Sequence, residues 1–181
     1  MFFSQDAYTR AWYFAAEAHG DQKVPGSDMP YIAHVGHVTM EVIASFEPDP
    51  PDSPDLAVQC ALLHDVIEDT RIEVDNVEAM FGPEVTAGVL ALSKDKSLKT
   101  KGEQMLDSLN RIQMQPLEVW RVKLADRIAN LRQPPHYWSV DKIANYQAEA
   151  RLIHDALHPA SDYLADRLAQ KIEQYGRWIK Q

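Results

Sequence analysis

The chain has 181 residues, 45% hydrophobic and 25% charged, which suits one globular domain with a substantial core and leaves little room for a second. Its formal charge of -9 excludes broad binding to nucleic acid polymers, whose phosphates need a basic surface to release counterions. The single cysteine, Cys60, rules out an internal disulfide and a cysteine-based zinc site. No run of 18 or more apolar residues suggests a membrane span, and the opening MFFSQDAYTRAW lacks the basic-then-apolar pattern of a secretory signal, so a cytoplasmic protein is expected.

Helical periodicity dominates from the first residues onward. In chain order the apolar spacing predicts helices over residues 5–19, 32–46, 55–68, 74–81, 83–92, 101–114, 116–132, 141–156 and 161–179, the fourth a short one. Breaks fall at residues 20–30, at EPDPPDSP (47–54), at Gly82-Pro83 and at Gln133-Pro134-Pro135. The proline-rich 47–54 reads as a rigid connector, because the helices on either side still need partners for their apolar faces. The expectation is an all-α chain, one domain over residues 1–181 with about eight helices and no internal repeat.

The stretch CALLHDVIEDT at 60–70 places a histidine and three carboxylates inside an apolar run. On one continuous helix His64, Asp65, Glu68 and Asp69 would share a face, with Cys60, Leu62, Leu63, Val66 and Ile67 on the other. A solvated acidic surface is the plain explanation, yet no lysine or arginine is interleaved to relieve like charges three and four residues apart. A bound cation would relieve them. His34 in PYIAHVGHV and Asp126 in VKLADRIANLR offer further donors on apolar-backed helices. Taken singly, His34 reads as a structural histidine and Asp126 as a partner of Lys123 or Arg127. Taken together, one divalent ion satisfies His34, His64, Asp65 and Asp126 at once. Lys94, Lys96, Lys99 and Lys101, crowded into SKDKSLKTK, read either as a solvated loop or as a local anion site.

PYIxH, LLHDVxEDT and KLADRxxNLR, in this order with AAEAHGDQ, FGPEV and YQAEA, resemble the HD-domain phosphohydrolases, and more closely the RelA/SpoT-homologue hydrolase domain and the small alarmone hydrolases. The resemblance spans most of the chain. It implies an all-helical fold holding one manganese ion and releasing pyrophosphate from the 3′ position of guanosine tetra- or pentaphosphate. Carried over by motif, His34, His64, Asp65 and Asp126 are the metal ligands, and Glu68 and Asp69 position and activate water. Asn130 and Tyr146 match positions near the nucleotide, while Arg127 and the four lysines would supply charge for phosphates. The chain resembles a stand-alone hydrolase, acting on a small nucleotide and needing neither polymer nor membrane.

The donor set itself suits manganese, though iron, zinc and magnesium stay open. The other histidines, His19, His37, His136, His154 and His158, match no ligand position. One departure concerns the loop after AHGDQ, where relatives carry a basic pair. Here Lys23 remains for the substrate but Val24 and Pro25 follow, so an apolar contact from Val24 to a purine face is expected, with adenine alarmones accepted beside guanine ones. Two other readings stand alongside: an HD phosphohydrolase of ordinary 5′-nucleotides, and a non-catalytic nucleotide-binding helical protein.

Overall fold

The structure, a computed structural model, describes residues 3–179. It is all helical, in line with the sequence. Eight helices of ten residues or more and one four-residue helix are found among the described residues: α1 (Gln5–His19), α2 (Ile32–Ala44), α3 (Pro54–Leu63), α4 (Val66–Asp69), α5 (Val74–Leu92), α6 (Lys101–Gln113), α7 (Leu117–Asn130), α8 (Val140–Leu157) and α9 (Asp162–Tyr175). Among the described residues β pairing is confined to one isolated bridge between Lys23 and Pro30. No helix among the described residues is long and apolar enough to cross a membrane.

Several boundaries follow from local chemistry. Ser4, Ser139 and Ser161 each accept a backbone N–H at the start of α1, α8 and α9. Thr100 and Glu103 form a reciprocal capping box on α6. The expected break at Gly82-Pro83 is a kink inside α5, with Gly82 at φ 83°, a conformation open to glycine at little cost. The expected helix over 161–179 stops at Tyr175 and continues as a short 3₁₀ turn.

The helix expected over 55–68 needs correction. α3 stops at Leu63, His64 is its C-cap, and Asp65 (φ −107°, ψ −1°) starts the separate α4. The four polar residues therefore do not line one helical face. His64 and Asp65 sit at a break, and Glu68 and Asp69 stand on the short helix after it.

The centre of the fold is α2, α3 and α7 packed together, with α1 against α3 and α8 and α9 against α7. Val35, Val38, Val42, Leu62, Leu63, Val122 and Leu124 are fully enclosed there. Cys60 is buried in this core, as its apolar neighbours imply, and burial raises its thiol pKa. α5 crosses α3 and α7 so closely that a Cβ at Gly88 would lie 2.7 Å from Cys60 Sγ and 3.0 Å from Val119. The 47–54 connector is tied down as expected of a rigid segment: Asp49 accepts from Ser161 Oγ (2.6 Å) and Tyr163 N (2.8 Å), and Arg121 donates to the Asp49 carbonyl. The three central helices are thus fixed relative to one another, and each carries chemistry to its end.

A candidate metal centre where three helices meet

One ligand atom each from His34 on α2, His64 at the end of α3 and Asp126 on α7 lies within 4.8 Å of the others, a grouping able to hold a metal ion. Asp126 Oδ1 is 3.4 Å from His34 Nε2 and 3.9 Å from His64 Nε2. Asp65, expected as a fourth ligand, falls outside that compact trio but borders it, its Oδ2 2.8 Å from His64 Nε2 and 3.8 Å from His34 Nε2.

The ring nitrogens test whether an ion fits. Both Nε2 atoms are buried and neither makes a hydrogen bond in the protein. His64 Nδ1 donates to the Ala61 carbonyl at 2.9 Å, which leaves Nε2 as the bare lone pair in the neutral ring. Two unpaired nitrogens facing two carboxylates form a mixed nitrogen and oxygen donor set, which suits a divalent first-row ion. The electrostatics agree. Burial alone would lower the His64 pKa, but Asp65 and Asp126 outweigh it and raise it to about 9, so the pocket attracts positive charge, and a cation there would take the place of the ring proton on Nε2. Asp126 is pushed the other way: burial opposes ionisation, yet Lys123 and the two histidines hold its pKa well below the ordinary value.

The partners of the two acids differ. Asp126 is gripped within α7, by Lys123 Nζ at 3.5 Å from Oδ2 and by Asn130 Nδ2 donating to Oδ1 at 2.6 Å. Asp65 Oδ2 accepts from the Tyr31 hydroxyl at 2.5 Å. Reasoning from the sequence missed Tyr31 and weighed Lys123 only as a default ion pair. Tyr31 stands in the PYIAH motif itself, so the signal was present but was spent on His34.

Glu68 and Asp69 lie on α4, beside the lysine-rich segment. Glu68 Oε2 accepts from the Lys94 backbone N–H (2.8 Å), and its Oε1 is 3.5 Å from Lys94 Nζ. Lys96 Nζ donates to the Glu68 carbonyl (2.5 Å) and stands 3.8 Å from Asp69. Burial raises the Asp69 pKa, the charges of Asp65 and Glu68 add to the rise, and Lys96 and Lys94 oppose it. Lys94 and Lys96 therefore reach the acids, whereas Lys99 and Lys101 are exposed and their side chains make no hydrogen bond or ion pair among the described residues. The segment turns at Asp95–Ser97 before entering α6, so Lys94 and Lys96 border the acids ahead of that helix while Lys101 is its first residue.

A cavity of about 530 Å³ opens on the other side of Asn130, lined by Pro25, Gly26, Ser27, Trp138 and Tyr146 among others. Tyr146 lines this cavity, its ring 5.2 Å from that of Trp138. Arg127, expected to supply charge for phosphates, is already engaged by neighbours in this structure. It is 4% exposed, its guanidinium lies 4.1 Å over the Tyr146 ring, and it is 3.6 Å from Glu149, so it braces the cavity wall instead. Lys23 is exposed and donates to the Asp28 carbonyl at 3.1 Å, away from the acids' partners. Val24 is 3% exposed and packed into the core, so it does not present the apolar contact expected of it, whereas Pro25 lines the cavity.

Comparison with known proteins agrees with this geometry. Residues 11–160 match the HD domain family. The guanosine-3′,5′-bis(diphosphate) 3′-pyrophosphohydrolase MESH1 of Drosophila melanogaster is 31% identical over 168 residues, 90% of this chain and 91% of that one. The GTP pyrophosphokinase rsh of Brucella ovis is 34% identical over 128 residues, covering 68% of this chain but 16% of its own length. The solved structure of a metazoan ortholog of SpoT, described as hydrolysing ppGpp with a role in starvation responses, superposes with a TM-score of 0.82 at 29% identity, covering 96% of this chain and 97% of that one.

Proposed function

The chain belongs to the HD domain family, and from that premise we propose that it is an alarmone 3′-pyrophosphohydrolase, releasing pyrophosphate from the 3′ position of ppGpp. The observation that carries the reading is the pair of unpartnered histidine nitrogens facing Asp126 and Asp65, with two further carboxylates on the adjoining α4. His34, His64 and Asp126, with Asp65 beside them, would hold one divalent ion, and the donor set suits manganese. When bound, such an ion polarises a phosphoryl oxygen and lowers the pKa of bound water.

The protein's own groups divide the remaining work. Asp69, whose pKa is raised by burial and by neighbouring acids, accepts the proton of the attacking water. Glu68 is held by the Lys94 backbone and positions that water relative to the phosphorus. Lys94 and Lys96, now paired with the acids, also supply positive charge for a pyrophosphate. The cavity beyond Asn130 takes the nucleoside, with Pro25, Trp138 and Tyr146 as flat apolar or aromatic walls. These three walls alone read no purine edge, so adenine alarmones are accepted at efficiencies comparable to guanine ones unless Asn130, Gln133 or His136 in the same lining reads the base.

The test is turnover of a panel containing ppGpp, ppApp, GTP and ATP under one manganese and salt condition, with products separated by ion exchange. Pyrophosphate with GDP from ppGpp supports the reading. Orthophosphate or nucleoside from the ordinary triphosphates, with ppGpp untouched, would replace it by a 5′-nucleotide phosphohydrolase. A guanine preference above about 10³-fold would exceed what flat walls supply and point to polar readout of the base edge.

A further inference from the structure

The two acids beside the histidine nitrogens are held by different means. Asp126 belongs to a continuous helix and has Lys123 and Asn130, one turn to either side, on its two oxygens. Asp65 belongs to no regular helix, since α3 has ended and α4 has not begun, so the backbone alone fixes its side chain less firmly. The Tyr31 hydroxyl donates to its Oδ2 at 2.5 Å. That oxygen is also the one facing both ring nitrogens, at 2.8 Å and 3.8 Å.

The phenol is itself secured. Tyr31 is 8% exposed, and its backbone N–H donates to the Gln22 carbonyl at 2.8 Å. Its ring lies 4.7 Å from that of His19, the last residue of α1, and His19 Nδ1 meets Gln22 Oε1 at 2.8 Å. Gln22 therefore ties both rings, one through its backbone and one through its side chain. From His19 through Tyr31 and His34 to His64 the rings form an unbroken series of neighbours, with centroid separations of 4.7, 5.2 and 5.4 Å.

We propose that Tyr31 is a positioning residue for Asp65, turning Oδ2 toward the metal-binding nitrogens, and that His19 supports it by bracing the phenol ring. The inference rests on the metallohydrolase reading above. A donor one bond removed from a ligand sets its orientation, and losing such a partner costs about 10- to 100-fold in metal affinity or activity. Tyr31→Phe is the direct probe, because it removes one hydroxyl and keeps the ring.

The experiment compares metal-stripped parent, Tyr31→Phe, His19→Ala and the double variant by calorimetric titration with Mn²⁺, by thermal melting without metal, and by kcat and KM for ppGpp. Tyr31→Phe is expected to bind Mn²⁺ about 10- to 100-fold more weakly. Its metal-free Tm should stay near the parent's, and its lost kcat should be recovered in part by excess Mn²⁺. His19→Ala should shift affinity in the same direction by less, and the double variant should match Tyr31→Phe, because both substitutions act through one contact. Parent-like Mn²⁺ affinity in Tyr31→Phe overturns the proposal, and additive losses in the double variant overturn the part played by His19. A parent that neither binds Mn²⁺ nor hydrolyses ppGpp overturns the underlying reading instead.

Discussion

The two halves of the site are built differently. His34, His64 and Asp126 come from the three helices at the centre of the fold and are at most 13% exposed at their side chains, with His64 fixed by the Ala61 carbonyl and Asp126 by Asn130 and Lys123. Glu68, Asp69, Lys94 and Lys96 come from the short α4 and a turn, with Lys96 63%, Lys94 35% and Asp69 34% exposed at their side chains and only Glu68, at 12%, enclosed. A buried half can hold an ion in one geometry, because close packing resists displacement. A half-exposed half of paired opposite charges can exchange partners when a polyanion arrives, since exposed pairs are worth about 0–1 kcal/mol and break readily. The comparison separates holding the metal from handling the substrate.

Substitutions in the buried half should have the largest effect. Asp126→Asn keeps the shape but removes the charge facing both histidines, and ppGpp turnover should be lost while helical circular dichroism is retained. Turnover near the parent's would remove α7 from the site. In the outer half, Asp69→Asn should lower kcat by roughly 10²-fold or more with KM little changed, as for a lost general base. Glu68→Gln, which retains an acceptor for the Lys94 backbone, should lose less. Equal kcat in all three proteins would end the water-activating role.

Smaller effects sharpen the boundary of the outer half. Replacing Lys94 and Lys96 together by glutamine should raise KM for ppGpp by about 10-fold and flatten its salt dependence, while the same change at Lys99 and Lys101 should leave KM within about 2-fold. Equal effects from the two pairs would restore the single four-lysine cluster.

The smallest effect belongs outside the site, on α2 one helical stretch beyond His34. Glu41 is 1% exposed, accepts from Arg167 Nη2 at 2.6 Å, and lies 3.2 Å from His37. Burial would raise its pKa, but the hydrogen bonds with His37 and Arg167 and their charges lower it to about 2. A folded pKa below the unfolded one stabilises the fold above the ordinary glutamate value of 4.5, and that contribution is lost as pH falls toward 2. Glu41→Gln should cost about 1–2 kcal/mol at neutral pH, a figure reduced because the Arg167 side chain is 36% exposed. Urea melts of parent and variant should converge between pH 4.5 and 2, with metal affinity at neutral pH unchanged. A gap independent of pH would show that the carboxylate contributes packing alone.

The same contrast explains what the sequence made legible. Helix content, the 47–54 connector, the Gly82 break and the burial of Cys60 follow from periodicity and turn chemistry, which act over a few residues. The grouping of His34, His64 and Asp126 was legible from motif order, since His34 and Asp126 stand on α2 and α7 and His64 follows α3, which is buried from Leu56 to Leu63. The end of α3 after Leu63 was not, because nothing in CALLHDVIEDT is a glycine or proline, and Asp65 leaves the helix through contacts with Tyr31 and His64 that are distant in sequence or made by side chains. Val24 was misplaced for a related reason. A valine in a polar loop looks available to a ligand, whereas its backbone N–H pairs with the Met29 carbonyl and folds its side chain inward. Arg127 likewise reads as a free cation until Tyr146 and Glu149, from α8, close over it.

The most direct measurement is Mn²⁺ binding by metal-stripped parent, Asp126→Asn and Asp69→Asn, titrated side by side at neutral pH. The account predicts one ion per chain in the parent and in Asp69→Asn, and none held by Asp126→Asn. Parent-like binding in Asp126→Asn, or loss of the ion in Asp69→Asn, would contradict the division between a buried half that holds the metal and an outer half that works on the substrate.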